Sequence, residues 1–156
     1  MVLDRSLRLR LNDADENKAA SKIMNRTHIK YADLNARQKE NFNAAKLGAV
    51  LANFGYFTMW LNDDYNGADL IALREGEEPM MIQLKSRPAI GKRYEKKGLF
   101  MAFPVASNWC VIEHDLLQGV FAEFGHLKTK SWVERGRYAI GKPSRELVAR
   151  LKPYCL

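Results

Sequence analysis

Three polar side chains stand in two otherwise apolar runs. Asp69 sits near the start of ADLIAL (68–73), and Gln83 and Lys85 interrupt MMIQLKS (80–86). A fourth, Glu40, lies in NARQKENFNAAKLGAVLANF (35–54), four residues before Ala44. Residues two apart on a strand share a face, so Gln83 and Lys85 stand side by side with Met81, while Ile82 and Leu84 point the other way. Buried charges are costly unless they are paired or bound to a metal. An acid, an amide and an amine on neighbouring strands therefore call for a chemical reason, and phosphodiester hydrolysis supplies one. A hard divalent cation, Mg²⁺ or Mn²⁺, takes oxygen ligands. Asp69 offers a carboxylate, Gln83 an amide oxygen and Leu84 its backbone carbonyl. Glu40 is expected to hold a metal-bound water or help place a second ion. Lys85 would orient or deprotonate the attacking water and stabilise charge building on the phosphate.

The elements that must carry these residues follow from the pattern. Residues 35–54 read as a helix with Asn35 as cap, Gln38 completing a capping box, and Gly55 just past the end. Ala44, Leu47, Leu51 and Phe54 share its apolar face, and Glu40 is in line with them. FTMWL (57–61), ADLIAL and MMIQLKS are strands separated by NDDYNG and REGEEP, a meander in which Asp69 comes near Gln83. LFMAF (99–103) and WCVIE (109–113) are further strands. DLLQGVFAEF reads as a helix despite Gly119, and Ser144 caps a last one over SRELVARL. The class is α/β or α+β with a mixed sheet.

Glu40 on a first helix, GAD with Asp69 on a second strand, and QLK with Gln83 and Lys85 on a third resemble the PD-(D/E)XK nuclease superfamily. Restriction enzymes, archaeal Holliday-junction resolvases and some homing endonucleases belong to it. The resemblance covers about 90 residues. It implies a restriction endonuclease-like αβββαβ core over residues 35–124, with DLLQGVFAEF as its second core helix. Residues 1–34 become an N-terminal arm and 125–156 a basic extension packed on the core. The implied activity is Mg²⁺- or Mn²⁺-dependent endonucleolytic cleavage of DNA, with RNA left open. Its site residues are Glu40, Asp69, Gln83 and Lys85. Gln83 stands where the family usually has Glu. An amide oxygen can ligate a metal without bringing charge, so the alternative is a degenerate relative that binds nucleic acid without cutting it.

The charge distribution points to the same partner. Residues 1–84 hold 11 Lys/Arg and 12 Asp/Glu, net −1, whereas residues 85–156 hold 14 and 6, net +8. The excess begins at Lys85. Arg87, Lys92, Arg93, Lys96 and Lys97 surround Tyr94, and Lys128, Lys130, Arg135 and Arg137 follow downstream. These are candidate contacts to phosphates rather than to bases. Cutting both strands of a duplex calls for two sites, hence a homodimer or higher oligomer, with the arm as the expected contact. No apolar run approaches the ~20 residues that span a bilayer, and the start lacks a signal-peptide core, so the expected location is cytoplasmic. Cys110 and Cys155 lack metal-site spacing and read as a buried thiol and a tail thiol, reduced in that compartment. His114 reads as structural, and Trp60, Trp109 and Trp132 as packing residues, with nucleic-acid contact a lesser option for Trp132.

Overall fold

The computed structural model describes Lys18 and residues 27–156, with 62–64 described as backbone only. The strand expected at RSLRLRL lies outside the described residues. So does the arm helix expected over NDADENKAASKIMNR, apart from Lys18, which is helical. The chain divides into two units, 1–35 and 36–156. Of the first, a 3-10 turn at Tyr31–Asp33 is described. The sheet and the α-helices below belong to the second.

Helix α1 (Ala36–Ala52) is rich in Ala and carries Leu and Lys in addition, all strong helix formers. It ends as its Gly predicts. Gly55 takes φ +79°, its N–H bonds the Ala52 carbonyl at 3.0 Å, and the Tyr56 N–H reaches back to Leu51 at 3.1 Å. That is a Schellman cap, which favours Gly because side chains resist positive φ. Ala44, Leu47 and Leu51 are buried as expected, but Phe54 lies past the helix end and is 47% exposed.

The main sheet contains β1 (Phe57–Tyr65), β2 (Ala68–Leu73), β3 (Met80–Leu84), β5 (Phe100–Val105) and β6 (Asn108–Glu113), in the order β1-β2-β3-β5-β6. The β1–β2, β2–β3 and β5–β6 pairs are antiparallel, and β3–β5 is parallel. The sheet is therefore mixed, as expected. Strand β1 runs four residues beyond FTMWL, with its register broken between Trp60 and Tyr65.

The connection from β3 to β5 carries β4 (Ala89–Gly91) and a 3-10 turn at Lys92–Tyr94. Strand β4 pairs antiparallel with β7 (Arg137–Ala139) in a second, two-stranded sheet. Neither short strand was foreseen, since three residues carry no readable alternation. Helix α2 (His114–Glu123) follows β6. Helix α3 (Lys130–Arg135) is capped by Thr129, whose hydroxyl accepts the Trp132 N–H at 3.4 Å. Helix α4 (Arg145–Leu151) is capped by Ser144, which accepts the Leu147 N–H at 3.2 Å.

The two faces of the sheet bury different things. On one, Ala44, Leu47 and Leu51 of α1 pack on Leu70, Ala72, Ile82, Leu84 and Ala102. On the other, Met101, Phe103 and Ile112 pack on Leu117, Val120 and Phe121 of α2. The C-terminal residues join this second core through Trp132, Ile140, Leu147 and Leu151. Trp132 is thus a packing residue, 6% exposed. The expectation of two separate thiols is corrected. Cys110 and Cys155 face each other in an isolated β-bridge and form a disulfide across 45 residues. A terminal bridge that distant in sequence leaves no local pattern.

Candidate functional site at the end of β2 and β3

Backbone pairing of β2 with β3 reaches Leu70↔Ile82. One step further on, the Leu84 N–H bonds the Asp69 carboxylate at 2.8 Å. The next N–H, of Lys85, turns to the Ala102 carbonyl of β5 at 2.8 Å. Asp69 thus satisfies a buried backbone donor at a place where strand pairing has stopped. The same oxygen, Oδ2, accepts a hydrogen bond from the Gln83 amide nitrogen. Gln83 is 5% exposed, and that nitrogen is also 3.4 Å from the Leu84 carbonyl oxygen. Asp69 and Gln83 therefore meet, as their spacing predicts.

Lys85 directly follows β3, and its side chain is partly buried. Its ammonium donates to the Tyr94 hydroxyl at 3.1 Å and stands 5.3 Å from the ring centroid. Arg93 donates to the same hydroxyl, and its guanidinium lies 4.6 Å from the same ring. Tyr94 is 4% exposed. A Cβ on Gly67, at φ +93°, would lie 2.9 Å from its ring. Glycine therefore lets the β1–β2 turn close on Tyr94, two residues before Asp69. Sequence reasoning passed over Tyr94, because a tyrosine among lysines reads as a surface residue. The one available signal was the glycine of GAD, whose smallness only the fold explains.

Behind Tyr94, at 5.7 Å between ring centroids, lies His114, which is 1% exposed. Its Nε2 accepts the Gly91 N–H at 3.2 Å, so the ring proton sits on Nδ1, 2.9 Å from an Asp115 carboxylate oxygen. This histidine ties β4 to the start of α2, a structural role as expected. The His114 hydrogen bond, helped by the Lys96 N–H at 2.9 Å, holds the Asp115 carboxyl below the usual aspartate range.

Glu40 is placed differently from the other three. It is 42% exposed, its carboxylate is 3.7 Å from the Arg37 guanidinium, and α1 packs on the face carrying Leu70, Ile82 and Leu84. Asp69 and Gln83 alternate with those residues and so belong to the opposite face. Ala44, Leu47 and Leu51 form the buried stripe of α1 as expected, but periodicity does not say which side of a sheet a helix will cover.

Next to Lys85 opens a cleft of about 1040 Å³. Its lining includes the β4–β7 ladder and Lys85, Arg87, Lys92, Arg93, Arg135 and Arg137 and, among the described residues, no carboxylate. Six of the expected cationic residues are thus brought together from two stretches of sequence. Lys96, Lys97, Lys128 and Lys130 are not among the lining residues.

Among the described residues, no three His, Cys, Asp or Glu side chains gather into a metal site. The local oxygen donors are the Asp69 carboxylate, the Leu84 carbonyl and the Gln83 amide oxygen, which a half-turn of the amide would present. One carboxylate with neutral oxygens suits Mg²⁺ or Mn²⁺, which keep waters and draw further ligands from a substrate phosphate. No known protein family, curated protein or solved structure matches the chain. Among the described residues, no helix is long and apolar enough to cross a membrane.

Proposed function

We propose that the protein is a metal-dependent endonuclease that hydrolyses phosphodiester bonds of DNA at Asp69, Gln83 and Lys85. The observation that carries this is the hydrogen-bonded pair of Asp69 and Gln83, with Lys85 two residues further along the chain and lining a cleft whose described residues include many cations and no acid. A Mg²⁺ or Mn²⁺ ion held by Asp69, the Leu84 carbonyl and the Gln83 amide oxygen would polarise the phosphate and acidify a water. The chain's own residues do the rest. The cleft cations hold the phosphates flanking the scissile bond. Lys85, steadied by the Tyr94 hydroxyl, supplies a positive charge to the reacting phosphate and a group able to exchange a proton with the water. Glu40, on α1 against the other face of the sheet and paired with Arg37, takes no part in this scheme. A DNA substrate suggests, for double-strand cleavage, a homodimer; it is compatible with a cytoplasmic location, which the Cys110–Cys155 disulfide does not favour.

A second reading has its own observation. In this arrangement the Gln83 nitrogen, not its oxygen, faces Asp69. That neutral donor gives the carboxylate a hydrogen bond without an ion and suits a nucleic-acid-binding protein that no longer cuts. Incubating supercoiled DNA with the protein in Mg²⁺ or Mn²⁺ separates the two. Nicking that disappears in Lys85→Ala supports the nuclease. Nicking that survives Lys85→Ala unchanged sinks the site assignment. Salt-sensitive binding without nicking in either metal establishes the binder.

A further inference from the structure

We infer that the cleft takes one unpaired strand of DNA, such as a frayed end, flap or gap, in preference to a duplex. This rests on the nucleic-acid reading above and specifies its substrate class. The cations stand on two walls. Lys85, Arg87, Lys92 and Arg93 come from the segment leaving β3, and Arg135 and Arg137 come from α3 and β7. The walls are joined through their floor. Gly91 pairs with Arg137, Ile90 with Tyr138 and Ala89 with Ala139, and the Lys92 N–H bonds the Gly136 carbonyl at 2.8 Å. The spacing of the walls is therefore set by a backbone ladder rather than by loose side chains.

A duplex carries its phosphates on the outside of a rod and is usually read by an element projecting into a groove. Here the positive charge lines a concavity. The nearest helix, α3, has six residues and contributes Arg135 to the cleft wall. At about 1040 Å³, the cleft lies just above the ~300–1,000 Å³ range of ligand pockets. That is room for a few nucleotides of one backbone, contacted from both sides, and far too little for a duplex. Non-specific single-strand sites share this design of a cationic groove that tracks a backbone. The absence of carboxylates among the described lining residues adds to the cations, because an acid on either wall would repel the threaded phosphates.

Fluorescence anisotropy in EDTA, with single-stranded and blunt duplex DNA of equal length, tests this across a salt series. The single strand is expected to bind tighter by on the order of tenfold. Arg135→Ala/Arg137→Ala removes one wall and should abolish that preference. It should also lower the slope of log K against log salt by roughly 0.7 for each lost phosphate contact. Lys39→Ala/Lys46→Ala on α1 removes the same charge elsewhere and should leave both unchanged. Should the double arginine variant fail to fold by circular dichroism, Arg87→Ala tests the opposite wall. Duplex binding equal to or tighter than single-strand binding overturns the inference and leaves the proposed function standing. Binding of neither overturns both.

Discussion

The two faces of the central sheet are built from the same strands and serve different ends. Towards α1, β2 and β3 present Leu70, Ala72, Ile82 and Leu84, all buried and all aliphatic. One residue out of phase, they present Asp69 and Gln83, with Lys85 just beyond the strand end. Strand alternation lets a chain stabilise itself on one face and hold reactive groups on the other. Two kinds of damage therefore separate. Losses on the α1 face should unfold the protein without changing its chemistry. Losses of the polar side chains Asp69, Gln83 and Lys85 should change the chemistry at smaller cost to stability than losses from either apolar core.

The largest effect is expected from Leu47→Ala, which empties a fully buried site against the sheet. Chemical denaturation should show a loss of about 2–5 kcal/mol, while the folded fraction binds DNA with unchanged salt dependence. A change in DNA binding per folded molecule would break the separation of faces. Next comes Gln83→Glu, which replaces the donor to Asp69 by a second carboxylate. In metal-free buffer it should cost about 1–3 kcal/mol, and millimolar Mg²⁺ should restore more stability than it adds to the wild type. Equal metal responses would remove the ion from this face.

A smaller effect is expected from Tyr94→Phe. It keeps the ring packed on Gly67 but removes the acceptor shared by Lys85 and Arg93. Stability should fall by about 1 kcal/mol, and the nicking rate should fall several-fold without loss of binding. A rate equal to wild type would show that the Lys85–Tyr94 bond does not position the amine.

The smallest is a pH effect at Asp115. Its folded pKa is depressed, chiefly by the hydrogen bond from His114. The stability this brings is present above the ordinary aspartate value of 3.8 and is lost as pH falls through the lower, folded value. In Asp115→Asn the wild-type protein's extra fall in Tm on the acid side should be missing. Parallel acid limbs would show that the pair is not coupled to folding. The side chain is 44% exposed, so solvent screening keeps this effect modest.

The polar face was largely legible in the sequence. Period-2 alternation put Gln83 beside Lys85, turn residues bracketed the strands, and the meander brought Asp69 opposite Gln83. Gly55 and Ser144 marked helix ends because their roles are local. What escaped was non-local. Whether α1 covers one face or the other depends on how the sheet is wound, so Glu40 was aligned with the right stripe and expected on the wrong side. Strands β4 and β7 are recognisable only through each other, 46 positions apart in the register Gly91↔Arg137. The Cys110–Cys155 bridge and the packing of Tyr94 on Gly67 likewise join segments with no shared pattern. The cations were found one by one, but a cleft is a property of the pairing that gathers them.

Binding of a catalytic cation at the face bearing Asp69 and Gln83 can be checked by anomalous diffraction from crystals soaked in Mn²⁺. A manganese peak is expected within coordination distance of the Asp69 carboxylate and the Leu84 carbonyl, with the Gln83 amide turned to present its oxygen. Well-ordered density with Gln83 still donating to Asp69, and no peak beside them, would contradict it.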